Sequence, residues 1–497
     1  MRPLPAMMLL ALGLLAAAAD PGAGQGAAAV DRLLPDDEVR DGIDPQQRAR
    51  IEAAVAADRM RRPVGPTSHP FLYTFFPQAG VLGRDLFIRS FTDLNPSPNL
   101  IRDWDCSDYT YDGHRGHDAS IRSFREQAIG VPVFAAHDGV VVSAHDGEYD
   151  ENVEWSDTAL ANYVAIDHGG GYETWSFHLK RNSVAVRPGQ SVVAGQQIGL
   201  TGSSGRSSWP HLHLETHLNG GWVEPSAGPC RSGDSLWADQ PPVVRKLYVA
   251  DFYLTRERLP LDRTAVIHDL WTRTASFVKG RQRVDARVDV HNLPGGASHR
   301  LRIVDPRGRV ALNQLGRYEN RGHVHSAVTL FSFSLDLSIV GTWRFQLDFD
   351  GTRVVDAPFR VVALAAQATN RPPGTIGVRI SPAPTLAGEA ATCEVLTSFV
   401  RDDPDYDLVS YRYEWRAGTQ LVRALTSAAS TDMLAADLVR PGKLSCRVTP
   451  TDGRLAGPSA LTWTVVGAES EVRASRAIAG GGVEWLRKDP TPHGHEE

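Results

Sequence analysis

Two histidines in one short apolar segment are the strongest chemical signal in the sequence. The segment His211–Glu215 reads His-Leu-His-Leu-Glu and follows the glycine- and serine-rich run 199–208. On a β-strand, side chains two residues apart point to the same face, so His211 and His213 would project into one space. Two such imidazoles can both bind a metal ion, or one can bind it while the other transfers protons. A pair of surface histidines is the alternative.

Further candidate ligands lie upstream, at His114 and Asp118 in the run Tyr-Asp-Gly-His-Arg-Gly-His-Asp. Gly113 and Gly116 favour a loop or strand end there over a helix. A lone histidine, His178, follows within the apolar run Thr-Trp-Ser-Phe-His-Leu. The three motifs together predict a site far more specifically than the His-x-His pair does alone.

In order and spacing, these motifs resemble the lysostaphin-type zinc metalloendopeptidases, which cut peptidoglycan peptides. The family pattern is H-x-G-x-D, then a lone H-L, then G-x-S-G-x-S-x-x-P-H-L-H-x-E, and all three parts are present here. The resemblance implies an antiparallel β fold and one zinc ion held by His114, Asp118 and His213. It also implies that His178 and His211 accept the proton of the attacking water and stabilise the oxyanion. The sequence alone leaves His211 and His213 interchangeable.

Several neighbouring residues also bear on the site. Ser176 stands where relatives usually have Tyr, and Trp209 where they often have Gly, so both are expected to alter the groove wall. His117 is a weaker rival as a ligand. Glu215 shares the predicted face of the histidines, where it either orients a ligand or faces solvent. Asn162 is a candidate substrate or turn contact.

Composition places the chain among exported globular proteins. Its 497 residues allow three domains, and a net charge of −6 gives no basic footprint for nucleic acid. Residues 1–19 have the pattern of a signal peptide, with an uncleaved amino-terminal anchor as the alternative. Their apolar run is too short to span a membrane comfortably, and no other long apolar run appears. We therefore expect a periplasmic or extracellular protein, either free or associated with the cell surface, that acts as a monomer. Residues 20–65 are expected to be a linker or short propeptide, with a helix starting at Pro45.

The zinc peptidase domain is expected at residues 66–240 and should be mainly β, because strand and turn signals alternate and no amphipathic helix appears between 131 and 225. Asp138-Gly139 predicts a hairpin turn. Four cysteines in an exported chain suggest two disulfides, with three possible pairings. We pair Cys106 with Cys230, which bracket this domain, and Cys393 with Cys446, which lie in one later domain.

Two β-sandwich domains are expected to follow the catalytic domain. In residues 245–365, polar and apolar residues alternate, and Asp350-Gly351 predicts a hairpin. His323 and His325 repeat the His-x-His spacing without any family motif, which is more typical of surface groups than of a second metal site.

The second sandwich, at residues 375–467, resembles immunoglobulin-like domains of bacterial surface proteins, with Trp415 between the two cysteines. Its acidic run Asp402–Asp407 could bind Ca²⁺ through carboxylates, although such runs are more often acidic turns. The polar tail 468–497 is expected to be disordered.

The sequence therefore predicts a secreted zinc metalloendopeptidase acting on peptidoglycan, with the sandwiches positioning it on the wall or on a partner. Two other functions are retained as alternatives. One is a catalytically silent scaffold that activates another wall hydrolase. The other is a surface adhesin in which the metal is structural.

Overall fold

A computed structural model describes residues 42–62, 71–259, 262–318, 324–396 and 402–467, together with the backbone of 30–35. The predicted signal peptide, the tail 468–497 and His323 lie outside the described residues. The fold is mainly β, as predicted. None of the described helices is both long and apolar enough to cross a membrane.

The amino-terminal half of the chain forms one large antiparallel sheet, the elements around it and a first strand, which pairs with a later sheet. In chain order these elements are β1 (Val30–Pro35), α1 (Pro45–Arg61), β2 (Phe87–Ser90), β3 (His117–Ser120), α2 (Phe124–Ile129), β4 (Pro132–Phe134), β5 (Gly139–His145), β6 (Tyr163–Gly169), β7 (Tyr172–Phe177), β8 (Ser191–Val192), β9 (Gln197–Leu200), β10 (His211–Leu218) and β11 (Gly221–Trp222).

One antiparallel sheet organises this half, with strand order β2-β3-β10-β7-β6-β5-β8 and β11 paired to β10. A separate two-stranded sheet pairs β4 with β9. The core on one face of the large sheet includes Leu212 and Leu214 of β10. The histidines of β10 alternate with these leucines, so burial of the leucines turns the histidines to the opposite face.

The segment expected to be a linker or propeptide is packed against the rest of the molecule. In α1, Asp44 caps the first turn by accepting hydrogen bonds from the backbone N–H groups of Gln46 and Gln47. Ile51 and Val55, one helical turn apart, are buried against β5, β6 and β7. The backbone of β1 pairs with a strand of the first sandwich, described below. Whether this segment is removed from the mature protein stays a prediction.

The predicted hairpin at Asp138-Gly139 is wrong. β4 pairs with β9, whereas β5 pairs with β6 and β8. Gly139 is required for a different reason: a Cβ there would lie 2.5 Å from the carbonyl oxygen of Asp167 on β6. A close approach between strands and a tight turn select the same residue type, so the sequence could not separate them.

The first sandwich comprises β12 (Tyr248–Thr255), α3 (Arg263–His268), β13 (Ser276–Val278), β14 (Gly280–Leu293), β15 (Ser298–Val304), β16 (Val310–Arg317), β17 (Val324–Leu337), β18 (Gly341–Phe349) and β19 (Thr352–Val362). Its sheets have the orders β1-β17-β14-β12 and β13-β19-β18-β15-β16. The predicted hairpin at Asp350-Gly351 joins β18 to β19.

The second sandwich comprises β20 (Val378–Ser381), β21 (Thr385–Leu386), β22 (Ala391–Val395), β23 (Ser410–Ala417), β24 (Gln420–Ser427), β25 (Thr431–Leu434), β26 (Gly442–Thr451) and β27 (Ala460–Gly467). Its sheets have the orders β20-β22-β25 and β21-β27-β26-β23-β24. The Cys393–Cys446 disulfide joins β22 to β26 across the two sheets, and the Cys106–Cys230 bond is present as well. Trp415 is fully buried and lies opposite Cys446 in the β23–β26 register.

Candidate metal and catalytic site

Strand register brings the predicted metal ligands together. β10 lies between β3 and β7, and His213 is directly opposite Asp118 on one side and Phe177 on the other. Directly opposed residues share a face of the sheet, so Asp118 and His213 meet there. His114 joins them from the loop before β3. His178 follows the last residue of β7.

The three predicted ligand atoms converge on one point. His114 Nε2 lies 3.1 Å from both Asp118 Oδ1 and His213 Nδ1, and His213 Nδ1 lies 2.8 Å from Asp118 Oδ1. All three side chains are buried, and they form a group able to hold a metal ion. Ligands bound to zinc at about 2.1 Å in a tetrahedron are roughly 3.4 Å apart. We refer to His114, Asp118 and His213 as the histidine–aspartate centre.

Each predicted ligand histidine is oriented through its other ring nitrogen. His114 Nδ1 lies 2.7 Å from the carbonyl oxygen of Phe91, to which it must donate a proton. His213 Nε2 lies 3.1 Å from Glu215 Oε1, to which it likewise donates. These bonds place the ring protons on the outer nitrogens, so the nitrogen atoms that face the centre carry lone pairs, as metal ligation requires.

Glu215 is the hub of this outer support and does not face solvent. Its carboxylate is fully buried and accepts hydrogen bonds from both terminal nitrogens of the Arg48 guanidinium, with Nη1 at 2.9 Å from Oε2. It also accepts a hydrogen bond from His217 Nε2, which lies 2.7 Å from Oε2. Burial opposes its ionisation, but the hydrogen bonds from Arg48, His213 and His217 outweigh burial and hold the pKa of Glu215 well below its ordinary value. A carboxylate is thus kept charged behind a ligand histidine.

The two predicted catalytic histidines lie next to each other beside the centre. Their ring centroids are 4.6 Å apart. His178 Nδ1 donates to the carbonyl oxygen of Ser204 at 2.7 Å, and His211 Nδ1 donates to that of Trp209 at 2.7 Å. Each ring therefore has its proton on Nδ1 and its lone pair on Nε2.

His178 is held in a left-handed backbone conformation, with φ of 60°. Such a conformation is costly for a residue other than glycine and is common at functional sites. Asn162 fixes the chain there: its Nδ2 donates to the carbonyl oxygen of Leu179 at 3.0 Å, and its Oδ1 accepts from the backbone of Glu148 at 2.9 Å. Asn162 thus orients the segment that carries His178.

The structure also places two neighbouring residues, His117 and Ser176, away from the centre. His117 alternates with Asp118 along β3 and instead contacts both carboxylate oxygens of Glu224, at 2.8 and 2.9 Å, so it does not belong to the histidine–aspartate centre. Ser176 is opposite Leu214, on the face away from His213, so its expected effect on the groove wall is wrong.

Trp209 is buried, and its Nε1 donates to the carbonyl oxygen of Ile121 at 2.7 Å. It packs with Phe124 and with Ile267 of α3, a helix of the first sandwich. The first sandwich therefore contacts the segment that anchors His211.

His325, the described member of the other His-x-His pair, packs edge-on against Tyr109 with ring centroids 3.8 Å apart.

Sequence reasoning missed Arg48, Phe91 and Ser204. Phe91 and Ser204 act through backbone carbonyl groups, which any residue type provides, so no sequence signal could reveal them. Arg48 lies on the predicted helix, but it is 167 positions from Glu215, so the sequence carries no sign that the two would meet.

A family comparison agrees with this geometry. Residues 114–225 match the model of peptidase family M23. The chain contains an M23 domain. All five site residues lie within the match, whereas Arg48 precedes it.

Curated proteins match part of this chain over a limited length. Peptidoglycan DD-endopeptidase ShyA of Vibrio cholerae is 41% identical over 92 residues, which is 18% of this chain and 19% of that protein. DD-carboxypeptidase/endopeptidase Mpg of Neisseria meningitidis is 35% identical over 130 residues, which is 26% and 27% of the two chains. This chain therefore spans less than a third of the length of either relative.

Solved structures that match include a zinc-containing peptidase from Vibrio cholerae, at 26% identity over 31% of this chain and 41% of that chain, with a TM-score of 0.19. The catalytic domain of lysostaphin from Staphylococcus simulans also matches, at 26% identity over 27% of this chain and 85% of that chain, with a TM-score of 0.19.

Proposed function

We propose that the protein is an exported zinc metalloendopeptidase that hydrolyses peptide bonds of bacterial peptidoglycan. One observation carries this proposal: the three donor atoms of the histidine–aspartate centre converge beside two histidines whose Nδ1 protons are already engaged. The names of the M23 relatives supply the substrate class.

The donor set fits zinc. Two imidazole nitrogens and one carboxylate oxygen are typical ligands of a catalytic zinc site, which leaves one position for a reactant. When bound, zinc would supply Lewis-acid polarisation of the scissile carbonyl and of the attacking water. The hydrogen bonds of His114 and His213 to Phe91 and Glu215 preset the ring orientations that such an ion requires.

His178 and His211 supply the proton transfers. With Nδ1 donating to a backbone carbonyl, Nε2 of one ring can accept the proton of the nucleophilic water. Once protonated, Nε2 becomes a donor to the developing oxyanion or to the leaving amine. The left-handed backbone at His178 and the Asn162 clamp keep that ring from turning away from the site.

Export is supported by the two disulfide bonds, since disulfides persist in oxidising compartments. The two sandwiches would hold the catalytic domain against the wall or a partner. The protein would act as a monomer.

Release of free amino groups from purified peptidoglycan by the zinc-loaded, full-length protein tests the proposal. We expect new amines that disappear with a chelator and in His211→Ala. His145→Ala is the matched control, because His145 lies in the same sheet but contacts Glu148 and not the site. No amines from zinc-loaded protein would contradict an enzyme and favour the silent scaffold. Bound zinc with intact peptidoglycan and tight wall binding would favour the adhesin.

A further inference from the structure

A second cluster of carboxylates lies at the junction of the two sandwiches. One oxygen atom from each of Asp403, Asp407 and Asp452 lies within 4.8 Å of the other two. We call these residues the acidic cluster. All three are buried, with exposed fractions of 1%, 7% and 8%. Three carboxylates concentrated in a protein interior repel one another and lose hydration, so they require compensation.

Part of that compensation is visible. Asp403 Oδ1 accepts the backbone N–H groups of Asp405 and Asp407, at 2.7 and 3.2 Å. Asp452 Oδ1 accepts those of Arg454 and Leu455, both at 2.7 Å. These bonds fix the positions of two of the three carboxylates.

Two of the remaining carboxylate oxygens receive no such compensation within the described part of the chain. Asp403 Oδ2 and Asp407 Oδ2 are both buried and have no hydrogen-bond partner there. Because Oδ1 of Asp403 is occupied by backbone donors, Oδ2 is the oxygen left to face its neighbours. Buried carboxylate oxygens in native proteins are nearly always paired, so an unpartnered pair at one point indicates a missing ligand.

No nearby arginine donates a hydrogen bond to either oxygen atom within the described residues. Arg273 and Arg454 act on Asp407 through space. Arg273 is already engaged by Asp251 and Asp269, each at 2.7 Å, and by the carbonyl oxygen of Tyr406.

We propose that the acidic cluster binds one Ca²⁺ ion. Its donors are all oxygen atoms, which excludes a good fit to zinc and suits a hard cation. They lie on loops, and Ca²⁺ accepts six to eight oxygen ligands in flexible geometry. Mg²⁺ demands a tighter octahedron and gives up its water reluctantly.

The position of the ion would couple the two sandwiches. Tyr406, between two of the ligands, packs into the core of the first sandwich, and its hydroxyl donates to the carbonyl oxygen of Pro358 at 2.7 Å. Asn370, in the connection between the sandwiches, donates to Asp452 Oδ2 at 2.7 Å. Calcium would therefore fix the loop that carries Tyr406 to the connection and to the end of β26.

Calcium titration of the full-length, zinc-loaded protein in decalcified buffer tests this proposal. We expect one Ca²⁺ per chain by calorimetry. The melting temperature of the two sandwiches should rise by about 5 °C for each tenfold increase in free Ca²⁺ above the dissociation constant. Mg²⁺ at the same concentrations should give a smaller shift. Peptidase activity, measured in parallel, should not depend on Ca²⁺, so the proposed enzyme and this site can fail separately.

Asp403→Asn and Asp407→Asn identify the ligands, because asparagine keeps an Oδ1 acceptor and removes the charge. Both variants should lose the calcium shift, yet in calcium-free buffer they should melt at or above the wild-type temperature, because an uncompensated buried charge is gone. Asp405→Asn is the matched control from the same loop: its carboxylate pairs with Arg371, and the calcium shift should persist.

Three outcomes would overturn the proposal. They are the absence of stoichiometric calcium binding with an unchanged melting temperature, an equal response to Mg²⁺, or loss of the shift in Asp405→Asn as complete as in Asp403→Asn. The first would leave the nearby arginines as the compensation of the acidic cluster.

Discussion

The histidine–aspartate centre and the acidic cluster each bury three candidate ligand residues, but the chain supports these residues in different ways. Asp118 and His213 are directly opposed on adjacent strands, and the donor atoms of their centre are 2.8–3.1 Å apart. Asp403 and Asp407 lie on the loop before β23 and Asp452 follows β26, with one oxygen atom of each within 4.8 Å of the other two. Strand pairing therefore fixes the relative positions of two residues of the first site, whereas the positions of the acidic residues depend on the conformation of loops.

The two sites also differ in how their ligands are held from behind. His114 donates to Phe91 and His213 donates to Glu215, so the outer nitrogen of each ligand histidine is occupied. In the acidic cluster, by contrast, two carboxylate oxygens lack partners within the described residues. The first site is therefore preorganised for its metal, and the second would be completed by its metal.

The largest effect should come from His213→Ala, which removes one of three zinc ligands. We expect bound zinc to fall from one per chain to near zero and amine release to fall to background, because zinc supplies the Lewis acid. Elemental analysis and the peptidoglycan assay measure both. Asp407→Asn is the control from the other site and should retain zinc and activity. Equal zinc loss in both variants would mean that the two sites are not separate.

A smaller effect is expected from His178→Ala. If His178 transfers protons and does not bind zinc, turnover should fall about 10²–10⁴-fold while zinc stays bound. The pH profile of the reaction should also lose one limb, and His145→Ala should leave it unchanged. Loss of zinc from His178→Ala would make this residue a ligand and not a proton-transfer group.

Glu215→Gln should weaken zinc binding about 10- to 100-fold, since a carboxylate behind a ligand histidine raises its basicity and fixes its orientation. Competition with a chromogenic chelator measures the change. Glu173→Gln is a close control, because Glu173 is also buried and pairs with Arg59 of α1, but it contacts no predicted ligand. If both variants weakened zinc equally, Glu215 would matter only for the packing of α1.

The last prediction concerns stability and a buried histidine, His291, in the first sandwich. Burial, aided by nearby Arg89, lowers the pKa of His291 to about 3. Between its ordinary pKa near 6.5 and this value, only the unfolded chain takes up the proton, so stability falls as the pH is lowered through that window. At about pH 4.5 the loss should be about 2 to 3 kcal/mol.

His291→Phe, which keeps an aromatic ring between Phe87 and Tyr248, should remove that part of the acid sensitivity. Denaturant unfolding at neutral and acidic pH measures it. An identical acid loss in this variant and in the wild type would contradict the assignment.

Much of the histidine–aspartate centre could be predicted because its residues occur in short sequence motifs whose residue types are typical of metal sites. The period of two along a strand is enough to place His211 and His213 on one face. The register between two neighbouring strands, which decides the face on which each residue lies, depends on contacts between segments that are far apart in the sequence. Ser176 is predicted to lie in the groove wall, but the β7–β10 register turns it away.

Long-range partners are the other gap. The run Asp402–Asp407 is visible in the sequence, whereas Asp452 is far along the chain and carries no motif. Similarly, the helix at Pro45 follows from local propensity, but its docking on the sheet depends on Ile51 and Val55 meeting a surface formed much later in the chain. The prediction for Gly139 is wrong because a glycine signal does not reveal whether a turn or a neighbouring strand requires it.

The contact between Arg48 and Glu215, separated by 167 positions, also bears on modularity. The family match begins at His114, so a fragment cut to that match would carry the buried Glu215 carboxylate without its cation. Removing one partner of such a pair costs about 3–5 kcal/mol. The portable unit of this domain, for grafting onto another protein or for exchange between genes, therefore has to begin before Asp44 and cannot be read from the family motifs alone.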